Sequence, residues 1–371
     1  MQIFSPQLYF PIYLYIILAF TLYYYVKLNA FDNDKLFYDD NRSRMFTLFV
    51  ILYVIIVGMR PVHNAFADTV YYAHLYKLMA TGLIKINPTD GDWLFNKVMY
   101  WFSQHTEVTW FFLFVEILYV FPVYFACKRL TEDNFSLLLL FFFSSFSFYS
   151  YSVNGIRNGM ACSMCILAMT YIQGSKRDKI ICGVLCFLAF NTHLSTALPI
   201  AAMIFSLKYI NHRNMFYFWL FSIFLSLVMG NAISSFFMSL GFDDRMNQYA
   251  TLQQDTQIMS KFSQTGFRWD FLLYSAMPIW LGWYLIFKRN IYDKTYLMLL
   301  GTYMYSNAFW VMVIRSSFSN RFAYLSWFLY PIVLAYPLLK LEIWPDQGKK
   351  TAQILIAHFG FTFLMWMLGK I

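Results

Sequence analysis

The chain has 371 residues, of which 60% are hydrophobic, 22% aromatic and only 13% charged. A water-soluble domain is about half apolar and about a quarter charged, so this composition excludes a soluble enzyme, a secreted disulfide scaffold and a disordered chain; it leaves an all-α, polytopic integral membrane protein. The 28 Lys and Arg exceed the 19 Asp and Glu by nine, and because they fall mostly in short gaps between apolar runs, the excess reads as a topology signal rather than a nucleic-acid surface.

Taken in chain order, with about 20 apolar residues needed to cross the hydrocarbon core, spans are predicted at 8–26, 45–59, 108–127, 135–153, 155–173, 215–240, 271–287, 295–314, 322–338 and 351–368. The first is long enough to span rather than be removed, and residues 1–7 carry no Lys or Arg. The stretch 180–207 is too long for one span and short for two, and Asn191, Thr192, His193 and Ser195 interrupt it. Two short helices meeting in a re-entrant-like hairpin near residue 193 are expected there, for about 11–12 membrane helices in all. The gaps 27–44, 128–133 and 174–179 hold Lys27, Lys35, Arg42, Arg44, Lys128, Arg129, Lys176, Arg177 and Lys179. They share the cytoplasmic side if the N-terminus faces outward. Two long outward segments result, 60–107 and 242–270, and residues 69–79 of the first have an amphipathic pattern suited to a membrane surface or a cavity cap. No internal repeat is evident, so 1–371 reads as one domain without the repeat signature of many transporters. Cys127, Cys162, Cys165, Cys182 and Cys186 all lie in apolar runs; Cys162 and Cys165 form a CxxC without a second pair, which reads as filler rather than a metal site.

Charged residues outside the cytoplasmic gaps gather on the outward face: Arg60, Asp68, Asp92, Arg157, Arg268, Asp270, Arg315 and Arg321. Such groups persist near a membrane only when paired, hydrated or used. Arg157 opens a helix in Asn154-Gly155-Ile156-Arg157-Asn158-Gly159, where a guanidinium beside backbone N–H groups suits a phosphate or carboxylate; the alternative is an arginine snorkelling to lipid. For Arg60, Arg315 and Lys97 the residues alone favour snorkelling. His193, at the break of the hairpin, suits a general base or a hydrogen-bonded structural role, and in either case lines protein or water. Asp68 reads as a base, a sugar-hydroxyl ligand or a helix N-cap, with Tyr72 one turn along the same face. No Walker loop, DxD pair, HExxH or GxSxG is present, so the energy source and leaving group belong to a membrane-bound substrate.

The motifs Arg60-Pro61, Asp68-Thr69-Val70-Tyr71-Tyr72, Asp92-Trp93-Leu94-Phe95, Ile156-Arg157-Asn158-Gly159-Met160-Ala161, His193-Leu194-Ser195, Gly266-Phe267-Arg268-Trp269-Asp270 and Asn320-Arg321-Phe322-Ala323-Tyr324 follow one another in order. This set resembles the Wzy-type O-antigen or exopolysaccharide polymerases of the EpsG-like group. Two positions depart from the pattern: members often carry Gly ahead of the motif Asp, where this chain has Phe66-Ala67, and Glu where Asp92 aligns. The resemblance implies a multi-pass glycosyltransferase of the bacterial inner membrane, with its active site facing the periplasm. It would join undecaprenyl pyrophosphate-linked oligosaccharide repeat units, serving as donor and acceptor, in lipopolysaccharide O-antigen biosynthesis. A polysaccharide chain-length regulator is the expected protein partner; no nucleic acid, cofactor or metal is expected. On this reading His193, Asp68 and Arg157 are catalytic, and Arg60, Tyr72, Asp92, Arg268, Asp270 and Arg321 bind pyrophosphate or sugar. With no evident covalent nucleophile, a hexosyl transfer with inversion is expected. The competing readings are a flippase or transporter for the lipid-linked oligosaccharide, and an O-antigen ligase.

Overall fold

A computed structural model of the protein describes residues 4–30, 40–84, 91–208, 211–239, 266–315 and 319–369. The described helices run, in chain order, α1 (Tyr9–Ala30), α2 (Asp40–Gly58), α3 (Asp68–Ala80), α4 (Trp93–His105), α5 (Val108–Thr131), α6 (Phe135–Ser144), α7 (Phe146–Val153), α8 (Ile156–Met169), α9 (Lys176–Thr192), α10 (Ala197–Lys208), α11 (His212–Ser239), α12 (Trp269–Phe287), α13 (Lys294–Met312), α14 (Asn320–Trp327), α15 (Tyr330–Lys340) and α16 (Gln347–Met367). The described residues contain no strand, and the protein is an all-α, multi-pass membrane protein. Among the described residues five segments are long and apolar enough to cross a bilayer: Pro6–Ala30, Val108–Ser144, His212–Gly230, Trp269–Phe287 and Arg321–Lys340; Arg44–Gly58, Ile156–Met169 and Leu194–Lys208 are shorter apolar helices. The outward segment 242–270 lies outside the described residues except for 266–270.

The chain forms two compact units, one of Met1–His193 with Ala335–Ile371 and one of Leu194–Leu334. In the first unit α5 is the hub, packed against α2, α6 and α8, while α8 also packs on α9 and α1 packs on α16. The buried side chains of α5 (Phe111, Phe112, Val115, Tyr119, Val120, Val123, Ala126 and Cys127) point in several directions, as a helix enclosed by neighbours requires. Close approach of α8 depends on Gly159: a Cβ there would sit 3.0 Å from the Tyr151 Cβ and 3.1 Å from the Tyr151 carbonyl oxygen.

The predicted span 135–153 is instead two helices, broken at Ser144-Ser145, with Ser145 in an extended conformation. Ending a helix inside an apolar environment exposes carbonyls that water cannot reach, so side chains must meet them. They do: Nε2 of His358 donates to the Phe141 carbonyl (3.0 Å), the Tyr13 hydroxyl to that of Phe143, and the Thr362 hydroxyl to that of Ser144 (2.7 Å). The span 322–338 is likewise divided, between α14 and α15.

The helix break expected at residue 193 is present. Helix α9 opens on a capping box, in which the Ser175 hydroxyl accepts from the Asp178 N–H and the Asp178 carboxylate accepts from the Ser175 N–H. The Ser175 hydroxyl bond to the Asp178 carboxylate holds that acid below its ordinary pKa. The helix ends at Thr192; His193 is extended (φ −153°), and a 3₁₀ turn, Leu194–Thr196, leads into α10.

In the second unit α13 lies against α10, α11 and α12. Polar side chains join these apolar helices. Nε1 of Trp219 donates to Oδ1 of Asn307 (2.9 Å), Nδ2 of Asn307 to the Ser326 hydroxyl (3.1 Å), and Nε1 of Trp327 to the Ser275 hydroxyl (2.7 Å). In a bilayer, where apolar surface alone does not drive helix association, such bonds and close packing do.

Candidate functional site: a carboxylate shared by an arginine and a histidine

Three elements of the first unit deliver the site. Asp92 precedes α4 at the N-cap position, in the left-handed conformation (φ 58°, ψ 34°), and its carboxylate makes no cap bond to its own helix. It turns outward instead: Oδ2 accepts from Nη1 of Arg157 at 2.7 Å and pairs with Nδ1 of His193 at 3.1 Å. Since a carboxylate only accepts, the His193 proton on this side sits on Nδ1, which places the accepting lone pair of a neutral imidazole on Nε2. The three side chains are 10% (Asp92), 20% (Arg157) and 19% (His193) exposed. They are screened enough for strong electrostatics and open enough to meet a substrate.

Neighbouring residues of the same motifs hold this triad in place. Nε1 of Trp93 donates to Oδ1 of Asn191, tying the start of α4 to the end of α9 and so setting Asp92 opposite His193. The Arg157 guanidinium lies 5.8 Å from the ring centroids of both Tyr72 and Phe95, which meet edge to face. Asp68 opens α3, and its Oδ2 accepts from the Gly155 N–H at 2.7 Å. Gly155 is the N-cap of α8 at φ +74°, a backbone conformation suited to glycine. One N–H beside the α8 start, where the sequence suggests an anion site, thus already meets an internal carboxylate. Just before Asp68, Ala67 adopts φ 41°, ψ −97°. That positive φ is a backbone conformation that favours glycine.

Arg60 sits behind the site. It is 1% exposed; Nε donates to the Thr69 hydroxyl (2.9 Å), Nη1 donates to the Val57 carbonyl (2.9 Å), and the guanidinium lies over the Phe112 ring. Burial lowers its pKa from the ordinary value, and the nearby Glu116 opposes that shift. Glu116, at 4.0 Å from Arg60 Nη1 and 1% exposed, escaped the sequence reading. Its signal was there, as the only charged residue within Val108–Cys127 of a predicted span. Asn191 reads in sequence only as part of the polar break, and its bond to Trp93 is what gives it a role at the site.

The remaining predicted residues belong to the second unit. Arg268 and Asp270 form a two-pronged pair at the start of α12, with Nε to Oδ1 at 2.9 Å and Nη2 to Oδ2 at 2.7 Å, and Arg268 lies over the Phe271 ring. Arg321 is in the first turn of α14, and Arg315 follows α13 with its guanidinium 5.9 Å from the Phe267 ring. The structure therefore gathers Asp68, Tyr72, Asp92, Arg157 and His193 in one unit and pairs Arg268 with Asp270 in the other. Among the described residues no cluster of His, Cys, Asp and Glu has the makings of a metal site.

A protein-family profile described as the EpsG family matches residues 43–370, nearly the whole chain. No curated protein and no solved structure matches.

Proposed function

This chain belongs to the EpsG family, and from that membership together with the geometry around Asp92 we propose that it joins undecaprenyl pyrophosphate-linked oligosaccharide repeat units as an O-antigen polymerase. The family itself carries a polysaccharide-polymerase type of function and a glycosyltransferase-like activity, here in a multi-pass membrane protein. The finer assignments, the lipid-linked substrate, the periplasmic face of the inner membrane and transfer with inversion, are our reading. The observation that supports it most is the Asp92 carboxylate shared by Arg157 and His193.

In the proposed reaction an acceptor sugar hydroxyl attacks the anomeric carbon of the donor's lipid-proximal sugar. The new C–O bond forms as the bond to the pyrophosphate oxygen breaks, the hydroxyl proton passes to Nε2 of His193, and undecaprenyl pyrophosphate departs with the electron pair. Asp92 holds His193 in the accepting tautomer and stabilises the imidazolium that forms, a division of labour worth about 10²–10⁴ in rate for the proton transfer. Arg157 orients Asp92 and offers its charge toward the leaving group; Arg268 and Arg321 are proposed pyrophosphate ligands, each donor worth about 2–4 kcal/mol in the transition state. Asp68, Tyr72 and Asp270 are proposed to position sugar or these arginines. The engagement of Asp68 with the Gly155 N–H favours His193 over Asp68 as the base.

The test is complementation of a strain lacking its own polymerase, with lipopolysaccharide displayed on a gel. The wild-type protein restores a ladder, whereas Arg157→Ala, Arg268→Ala and His193→Ala at matched protein level leave a core capped by a single repeat. A full ladder from all three variants sinks the site; failure of the wild-type protein, with the matching repeat unit supplied, sinks the polymerase reading.

A further inference from the structure

Glu116 lies within the membrane-spanning segment Val108–Ser144 and, with Arg60, forms an ion pair from which solvent is almost wholly excluded. Buried charges of this kind are costly unless paired, and a pair is often replaceable by apolar side chains without loss of stability. What this pair touches is therefore more informative than its contribution to stability. One arm runs from Nε of Arg60 to the Thr69 hydroxyl (2.9 Å), next in sequence to Asp68. The other runs from Oε1 of Glu116, which accepts from the Ser152 hydroxyl (2.8 Å), three residues before Gly155; the Tyr53 hydroxyl bonds the same Ser152 at 2.7 Å. The Gly155 N–H donating to Asp68 closes the circuit. The ring thus joins the start of α3, which carries Asp68, to the turn between α7 and α8, which carries Gly155 and Arg157.

We propose that Glu116 and Arg60 are positioning residues for the transfer reaction, holding Asp68 and Arg157 at one fixed separation through Thr69 and Ser152. The inference rests on the polymerase reading. It adds Glu116, Thr69, Ser152 and Tyr53 to the residues on which catalysis depends, and gives Arg60 its task from behind the site rather than within it.

The experiment uses the full-length protein in nanodiscs with a lipid-linked repeat unit, and measures kcat and KM alongside amide exchange over residues 153–157. Thr69→Val cuts the Arg60 arm without changing charge or volume much. It should lower kcat by ~10-fold with KM within about 2-fold, since small displacements of positioned groups cost rate before binding, and should speed exchange at Gly155. Thr69→Ser, which keeps the hydroxyl, should show neither change. The double variant Arg60→Met with Glu116→Gln leaves neither charge stranded; it should unfold within a few degrees of wild type and still lose kcat. Wild-type kcat and Gly155 exchange in both Thr69→Val and the double variant would overturn the inference, as would a kcat loss that only follows the folded fraction. If the wild-type protein makes no polymer, the functional reading fails on its own, while exchange at Gly155 still decides whether the ring fixes the turn.

Discussion

At the scale of single residues the site turns on Asp92, because one oxygen serves two cations or donors at once. Asp92→Asn keeps the shape but removes the negative charge, so Arg157 loses this counter-charge and an imidazolium at His193 loses the carboxylate that stabilises it. We expect kcat to fall by about 10²–10⁴ with a smaller change in KM, measured with lipid-linked repeat units. Asp92→Glu should stay within about tenfold of wild type, since a longer side chain keeps both the charge and the reach. Ala67 offers a test in the other direction. Its φ of 41° strains an L-residue, so Ala67→Gly should stabilise the protein by about 1 kcal/mol, read as a higher unfolding temperature with activity unchanged.

Individual elements are held by the way their ends are met. The break between α6 and α7 survives in an apolar setting because His358, Tyr13 and Thr362 donate to three carbonyls at the end of α6. Thr362→Val leaves the Ser144 carbonyl unmet where no water can reach, and should cost about 1–3 kcal/mol in a detergent unfolding measurement. Helix α9 is started differently, by Ser175 and Asp178. Folding depresses the Asp178 pKa, so its capping contribution is complete at neutral pH and is lost as the pH falls through that depressed value. Ser175→Ala should accordingly lower the unfolding temperature near pH 7, and the difference from wild type should narrow below the ordinary carboxylate range. A difference that stays constant with pH would show that the Asp178 carboxylate contributes nothing to the cap.

For the whole molecule, the proposed placement of residues 174–179 on the cytoplasmic side and of 60–107 on the outward side is tested directly by labelling. With an impermeant maleimide, His105→Cys should be modified in intact spheroplasts, and Lys176→Cys only after the membrane is opened; the reverse pattern inverts the scheme. The long apolar stretches were evident without coordinates because about 20 apolar residues have few other places to go, and so was the polar break at His193. The break at Ser145 was not, because Ser-Ser in an apolar run is tolerated inside a helix unless distant side chains meet the freed carbonyls. Nor could the order of residues say that Asp92 joins Arg157 to His193, 65 and 101 positions away, that Asp68 meets the Gly155 N–H, or that Arg60 faces inward to Glu116. By itself the sequence determined a membrane-embedded helical chain and the residues that must be justified there, since bilayer solvation acts on composition and span length. Only the tertiary structure decided which of those residues justify one another, because hydrogen bonds and ion pairs depend on side chains brought within about 3–4 Å by packing that no local pattern records.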